Sequence, residues 1–160
     1  MSIPVQRLNH AVLYVRDVAR AVAFYQEAFG FEVVAREGGG RMAFLRAAGG
    51  TNHHDLGLME VGAQAPQPPR GSTGLYHLAW EVPTINDLAN AQSVLANLGA
   101  LTGQSDHGAT KSLYGQDPDG NEFEVMWMVP RDDWGANENS AIIAPLQMAA
   151  EVSKYGANPA

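Results

Sequence analysis

Three side chains of the kinds that bind transition metals stand out in the sequence: His10, His77 and Glu124. Glu124 lies in the mostly apolar, strand-like segment 122–129, where a core side chain is expected. A carboxylate in an apolar core is costly unless it is paired or binds a metal. Two neutral imidazoles and one carboxylate form a triad that leaves three adjacent positions of the cation open, which is typical of non-haem Fe(II) oxygen chemistry. The alternative is that both histidines are satisfied core residues and Glu124 an acid at a strand edge.

The two histidines occupy equivalent positions of an internal repeat. Leu75-Tyr-His-Leu-Ala-Trp-Glu-Val82 mirrors Leu8-Asn-His-Ala-Val-Leu-Tyr-Val15, and the histidine is third in each segment. Each segment is followed by a helical pattern and three further strand-like segments. The repeat predicts an α+β fold of two tandem βαβββ modules that form one curved mixed sheet around a metal site. If the modules pack with pseudo-twofold symmetry, His10 and His77 face each other across a cavity and Glu124 completes the set.

The predicted domain covers residues 1–129, with module one at 7–61, a proline-rich linker at 62–73 and module two at 74–129. In module one, Asp17 is expected to cap a helix that Gly30 ends. In module two, the helix is expected to open at Asn86 or Asp87 and to end at Gly99. The predicted strands are 7–15, 31–36, 41–45 and 52–61, then 75–82, 101–105, 109–114 and 122–129. A C-terminal extension, 130–160, is expected to hold an irregular loop at 132–140 and a helix within 141–152.

Composition excludes several classes of function. The net charge is −7 and no cluster of Lys and Arg exists, so neither nucleic acid nor an anionic membrane is expected as a partner. The absence of cysteine excludes disulfides, thiolate metal sites and a cysteine nucleophile. No apolar run resembles a signal peptide or a membrane span. A cytoplasmic globular protein is the expectation.

The tandem pattern with His10, His77 and Glu124 resembles the vicinal oxygen chelate superfamily of glyoxalase, bleomycin-resistance and dioxygenase proteins. Within it, the segment from His107 to Glu124, His-Gly-Ala-Thr-Lys-Ser-Leu-Tyr-Gly-Gln-Asp-Pro-Asp-Gly-Asn-Glu-Phe-Glu, resembles the signature of type I extradiol ring-cleaving dioxygenases. That signature needs a histidine, a spacer, an aliphatic–Tyr pair, Asp-Pro-x-Gly and the ligand Glu. Ser105 departs from it, at a position that carries no chemistry we can identify. The resemblance covers residues 7–129.

The resemblance also implies roles for residues beside the metal. His53-His-Asp-Leu-Gly is similar to the stretch that carries the acid–base histidine of extradiol enzymes, and the match falls on His54. On a strand, His54 would share a face with Leu56 and Leu58. His107 and Tyr114 would donate hydrogen bonds to substrate oxygens. The alternatives are that His53 and His54 are turn residues, His107 a loop histidine and Tyr114 a half-buried strand tyrosine.

The resemblance implies Fe(II)-dependent extradiol cleavage of a catechol-type aromatic by O2, giving a ring-opened semialdehyde, with Mn(II) as the alternative metal. The expected partners are a small aromatic diol and O2, with a homodimer or higher homo-oligomer as the assembly. An alignment of 58–61 with 126–129 puts Leu56 where module two has Glu124. That leaves three protein ligands, and favours a dioxygenase over a glyoxalase-type isomerase. The alternatives are another divalent-metal isomerase, epimerase or hydrolase, and a non-catalytic small-molecule binding or resistance protein.

Overall fold

The computed structural model describes residues 2–69, 71–140 and 142–157, which divide into two compact units, Met1–Pro68 and Pro69–Ala160. The boundary falls inside the proline-rich segment 62–73. Each unit contains one copy of the predicted βαβββ repeat, so the α+β architecture of two tandem modules is confirmed. Backbone hydrogen bonds group the strands as two four-stranded mixed sheets, one in each module, where a single curved sheet was expected. Within the described residues, no helix is long and apolar enough to cross a bilayer.

The first unit is a sheet covered by one helix. Its elements are β1 (Ala11–Val15), α1 (Val18–Phe29), β2 (Glu32–Glu37), β3 (Met42–Arg46) and β4 (Leu56–Glu60). The strand order is β1-β4-β3-β2; β1 runs parallel to β4 and the other pairs are antiparallel. Asp17 caps α1 by accepting from the backbone N–H of Arg20, and Gly30 ends the helix in the left-handed conformation, both as predicted.

Two strand bounds of the first unit were predicted wrongly, and both errors concern histidines. β1 begins at Ala11 and β4 at Leu56, so His10 directly precedes one strand and His54 lies in the bend before the other. The cause is local hydrogen bonding: the Asp55 carboxylate accepts from the Ala47 backbone N–H (2.8 Å) and from the Asn52 side-chain amide (2.6 Å). Such side-chain bonds compete with strand pairing and hold a turn. The expected sharing of a strand face by His54 and Leu56 is therefore wrong.

The second unit repeats the topology. Its elements are β5 (Leu78–Glu81), α2 (Ile85–Asn97), β6 (Leu101–Asp106), β7 (Thr110–Gln116), β8 (Glu122–Met128) and α3 (Met148–Tyr155). The order β5-β8-β7-β6, with β5 parallel to β8, matches the first unit. The predicted strand 75–82 was wrong at its start, since β5 begins at Leu78 and His77 directly precedes it. Helix α2 begins before the predicted Asn86 or Asp87, because Thr84 is its N-cap and forms a capping box with Asp87. Gly99 follows the C-cap with a φ of +66°, as a helix stop requires.

The C-terminal extension belongs to the second unit. Ala144 pairs with Asp106 of β6 through two backbone hydrogen bonds, and the ring of Tyr155 lies 5.1 Å from that of Trp127. Two short 3-10 turns, Arg131–Asp133 and Gly135–Asn139, occupy the predicted irregular loop. Helix α3 starts at Met148 and extends to Tyr155, so the predicted range 141–152 is wrong at both ends. Because Pro145 lacks an N–H and disfavours helix in the residue before it, the chain stays extended until the proline is passed. Ala141 lies outside the described residues.

Candidate functional site

The second unit places one imidazole against one carboxylate. His77 directly precedes β5, and Ala79 of β5 is the register partner of Glu124 on β8. Side chains two residues apart along a strand share a face, so His77 and Glu124 project on the same side of this sheet. The His77 Nε2 atom lies 3.1 Å from the Glu124 Oε2 atom, and the two side chains are 25% and 12% exposed. Phe123 and Val125, the neighbours of Glu124, point the other way into the core and are buried.

The hydrogen bonding of His77 is incomplete. Its Nδ1 atom is buried and has no hydrogen-bond partner among the described residues. A buried polar atom without a partner costs about 1–3 kcal/mol, so such atoms are few in folded proteins and often mark a ligand or ion site. A histidine with an unmet nitrogen beside a largely buried carboxylate is a donor set that divalent first-row metals accept.

Tyr114 stands next to this pair. It is directly opposite Glu124 in the antiparallel register of β7 and β8, and its ring lies 5.9 Å from the ring of His77. Burial raises the pKa of the Tyr114 hydroxyl, and the negative charge of Glu124 raises that pKa further. The phenol therefore keeps its proton throughout the physiological pH range and acts as a neutral hydroxyl.

His107 reaches Tyr114 from the turn between β6 and β7. The His107 Nε2 atom lies 2.8 Å from the Tyr114 hydroxyl, and the Nδ1 atom lies 2.7 Å from the backbone carbonyl oxygen of Ile142. The turn depends on Gly108, which has a φ of +80° and donates its N–H to the Asp106 carboxylate at 2.7 Å. The motif identified His107 and Tyr114, but the contact with Ile142 has no sequence signal, because it is made by a main-chain atom 35 residues away.

The first unit holds the other predicted site residues. The rings of His10 and His54 have centroids 4.4 Å apart, and the ring of Phe44 meets His54 edge-on at 5.0 Å. The Nδ1 atoms of His53 and His54 lie 3.0 Å apart, and the His10 Nδ1 atom lies 3.0 Å from the Asn9 side-chain oxygen. The loop before β4 thus brings the predicted acid–base histidine against the predicted metal ligand of the same unit.

The environment of His54 disfavours its cationic form. Burial lowers the pKa of the His54 imidazole, the neighbouring His10 and His53 lower it further, and the carboxylate of Asp55 opposes them. A lowered pKa means that the ring is neutral at pH 7 and has a nitrogen lone pair with which to accept a proton. That is the state a general base requires.

The six predicted site residues therefore fall into two groups. His77, Glu124, Tyr114 and His107 form a connected set in the second unit, and His10 and His54 are neighbours in the first. Within residues 2–69, 71–140 and 142–157, no group of three histidine or acidic side chains is arranged to hold a metal ion. The ligand set of His10, His77 and Glu124 accordingly stays a prediction.

A family model described as the Glyoxalase/Bleomycin resistance protein/Dioxygenase superfamily matches residues 7–125. The chain is 35% identical over 127 residues to a catechol-2,3-dioxygenase of Bacillus subtilis, a match that covers 79% of this chain and 43% of that protein. It is 28% identical over 158 residues to metapyrocatechase 2 of Cupriavidus necator, covering 94% of this chain and 46% of that protein. The chain thus spans less than half the length of these curated relatives.

The fold also matches solved structures. A glyoxylase/bleomycin resistance protein/dioxygenase domain from Frankia sp. EAN1pec superimposes with a TM-score of 0.66 at 22% identity, covering 79% of this chain and 95% of that domain. At this identity, the similarity establishes the shared fold alone.

Proposed function

Since the chain belongs to the Glyoxalase/Bleomycin resistance protein/Dioxygenase superfamily, we propose that it cleaves the ring of a catechol-type aromatic by the extradiol route, consuming O2 and releasing a ring-opened semialdehyde. The observation that carries the proposal is the connected set of His77, Glu124, Tyr114 and His107 on one face of the second unit's sheet. His107, Tyr114 and Glu124 are residues that the extradiol signature specifies. The identity to proteins named for catechol cleavage supports the same reaction.

We assign His10, His77 and Glu124 as the ligands of a divalent metal, with Fe(II) as the ion and Mn(II) as the alternative. The support comes from the donor chemistry of the second unit: the His77 Nε2 atom lies 3.1 Å from the largely buried Glu124 carboxylate, and the Nδ1 atom of the same ring is buried without a partner among the described residues. Three protein ligands leave positions for both oxygens of a diol and for O2. When bound, such an ion supplies Lewis acidity and brings two reactants to one centre.

His54 is the proposed proton acceptor. Because burial and its histidine neighbours lower the pKa of His54, its ring is neutral at pH 7 and can take a proton from a diol hydroxyl. Phe44 packs edge-on against this ring at 5.0 Å and restricts its orientation. The residue acts by proton transfer alone, so its loss should not remove the metal.

Tyr114 is the proposed polar contact for the substrate oxygens, and His107 supports it. Tyr114 lies opposite Glu124 in the sheet, so a ligand bound beside the carboxylate meets the phenol oxygen. The raised pKa of Tyr114 keeps this group uncharged next to an anionic ligand. His107 holds the phenol from behind through its 2.8 Å hydrogen bond.

The test is anaerobic reconstitution with Fe(II), followed by O2 uptake and formation of a yellow product across a panel of substituted catechols. One O2 consumed per product, with no activity of the metal-free chain, is the expected result. Stoichiometric iron binding without O2 uptake for any catechol would overturn the proposal. Turnover of another substrate class with Mn, Ni, Co or Zn would then favour a non-oxygen reaction of this superfamily.

A further inference from the structure

The hydrogen bonds of His107 determine which of its nitrogens carries the proton. A backbone carbonyl oxygen can only accept, so the His107 Nδ1 atom, 2.7 Å from the Ile142 oxygen, must be the donor in that bond. A neutral imidazole has one N–H, so the Nε2 atom then carries a lone pair. The Tyr114 hydroxyl, 2.8 Å from Nε2, is the donor in the second bond. The Ile142 carbonyl therefore determines the donor in both hydrogen bonds: Tyr114 donates to His107, and His107 donates to Ile142.

The carbonyl is held in place by contacts that converge on Asp106, the residue before His107. The backbone N–H of Ala144 donates to the Asp106 carbonyl at 3.0 Å, and the Asp106 N–H donates to the Ala144 carbonyl at 2.8 Å. The side chain of Asp106 accepts from the Gly108 N–H at 2.7 Å and pairs with the Lys111 ammonium at 2.7 Å. The same residue therefore anchors the tail and shapes the turn that carries His107.

We propose that the segment 142–144 is a positioning element: its Ile142 carbonyl fixes His107 as the Nδ1–H tautomer, so Tyr114 directs its proton to His107 and presents oxygen lone pairs to the ligand. The tautomer follows from the hydrogen bonds alone, while its use in catalysis rests on the function proposed above. The tail thereby acts on the site through His107.

The tautomer has a consequence for specificity. With His107 neutral, neither ring nitrogen has an N–H free for the ligand, and the Tyr114 proton is engaged. The Tyr114 oxygen therefore accepts a hydrogen bond from a ligand hydroxyl. Tyr114 can donate its proton to the ligand only after the His107 Nε2 atom has been protonated. This reverses the donor role that the motif suggested for both residues in the resting state, and it favours a ligand that binds with a hydroxyl still protonated.

The test reads the tautomer directly. Long-range 1H–15N correlation spectra of the metal-free full chain, at about pH 8.5, two units above the ordinary histidine pKa of about 6.5, distinguish the two neutral tautomers. His107→Gln identifies the His107 signals by their loss. The expected result is a single Nδ1–H pattern for His107 in the wild type. A predominant Nε2–H pattern would overturn the proposal.

Two variants test whether the Ile142 carbonyl or the Tyr114 phenol sets the tautomer of His107. Tyr114→Phe removes the hydrogen bond between Tyr114 and His107 and should leave the Nδ1–H pattern unchanged. A change to mixed or Nε2–H tautomers would show that Tyr114 sets the proton position, and would overturn the proposal.

Ala144→Pro removes the N–H that donates to the Asp106 carbonyl, and should convert the single Nδ1–H pattern into a mixture of tautomers. Ile143→Ala, a change in an exposed side chain that keeps every backbone N–H, is the matched control and should behave as the wild type. None of these spectra needs metal or catechol, so they stand independently of the dioxygenase assay.

Discussion

The His77 Nε2 atom and the Glu124 Oε2 atom lie 3.1 Å apart, although the two residues are 47 positions apart in the chain. The parallel pairing of β5 with β8 creates this proximity, since the first and last strands of the module become neighbours. The equivalent pairing of β1 with β4 occurs in the first unit, where His10 also directly precedes its first strand. The repeat thus supplies the same structural position twice, and the second copy adds a carboxylate to it.

Removal of the carboxylate should remove the metal. Glu124→Gln keeps the shape of the side chain but loses the charge and the strong oxygen donor. We expect the stoichiometry of bound Fe(II) to fall from about one per chain to below about one-tenth, with O2 uptake lost in parallel. Metal analysis after desalting measures this. Glu81→Gln, an exposed acid of β5, is the control and should keep both. Wild-type iron content in Glu124→Gln would exclude Glu124 as a ligand.

Removal of the proposed base should leave the metal. His54→Ala is expected to retain stoichiometric iron and to lower kcat by about 10²–10⁴-fold, the usual contribution of a general acid–base group. Anaerobic iron titration and steady-state O2 uptake measure the two effects. His53→Ala is the neighbouring control and should lower kcat far less. Loss of iron in His54→Ala, with kcat per bound iron unchanged, would assign His54 to the metal instead.

The ionised carboxylate of Asp106 should stabilise the fold at neutral pH and lose this effect in acid. Burial by itself raises the pKa of the Asp106 carboxyl, but the hydrogen bonds from Lys111 and from the Gly108 N–H outweigh it and hold the pKa below 3.8. A carboxyl with a depressed pKa in the folded state stabilises the fold above pH 3.8, and this contribution is lost as the pH falls through the folded-state pKa.

Asp106→Asn should therefore cost about 1–3 kcal/mol of unfolding free energy at pH 7 and less as the pH falls below about 3.8, the ordinary value. Urea unfolding followed by far-UV circular dichroism at pH 7 and at acid pH measures the difference. Asp132→Asn, an exposed acid of the tail, is the control. A cost for Asp106→Asn that does not change with pH would exclude the ionised carboxylate as its source.

The cap of α2 should contribute measurably to stability. Thr84 accepts from the Asp87 backbone N–H at 3.1 Å, and Thr84→Ala leaves that N–H without its partner. We expect a loss of about 1 kcal/mol, the usual cost of removing an N-cap side chain. Ser93→Ala, an exposed change within the same helix, should be neutral or slightly stabilising, because alanine is the better helix former. Equal losses for the two variants in thermal unfolding would contradict the capping role.

The elements could be predicted from the sequence because their signals are local. The cap at Asp17, the stop at Gly30 and the apolar periodicity of each helix depend on neighbouring residues, and the structure confirms them. The predicted strand starts at 7, 52 and 75 were wrong, since β1, β4 and β5 begin at Ala11, Leu56 and Leu78. In the first unit, alternation continues past the point where Asn52 and Asp55 divert the hydrogen bonds. Side-chain competition of this kind leaves the apolar pattern unchanged, so the pattern could not reveal it.

The part of the candidate site that side chains form could be predicted from the sequence. Tyr114 and His107 belong to a spaced motif, and the structure brings them within hydrogen-bonding distance. The partner of His107, the Ile142 carbonyl, is a main-chain atom that any residue would supply. Its position depends on the pairing of Ala144 with Asp106, a long-range contact without a composition or periodicity of its own.

Lys111 has a bearing on how this chain should be divided for experiments. Its ammonium group is buried between Asp106 (2.7 Å) and Glu151 of α3 (3.5 Å), and the ring of Trp127, opposite Lys111 in the sheet, packs against Tyr155 at a tilt of 56°. A truncated version ending at residue 129, where the repeat ends, would leave one ammonium with a single counter-ion and one indole open to water. The repeat therefore ends before the compact second unit does, and a truncation at the end of the repeat would remove part of the packing around Lys111 and Trp127.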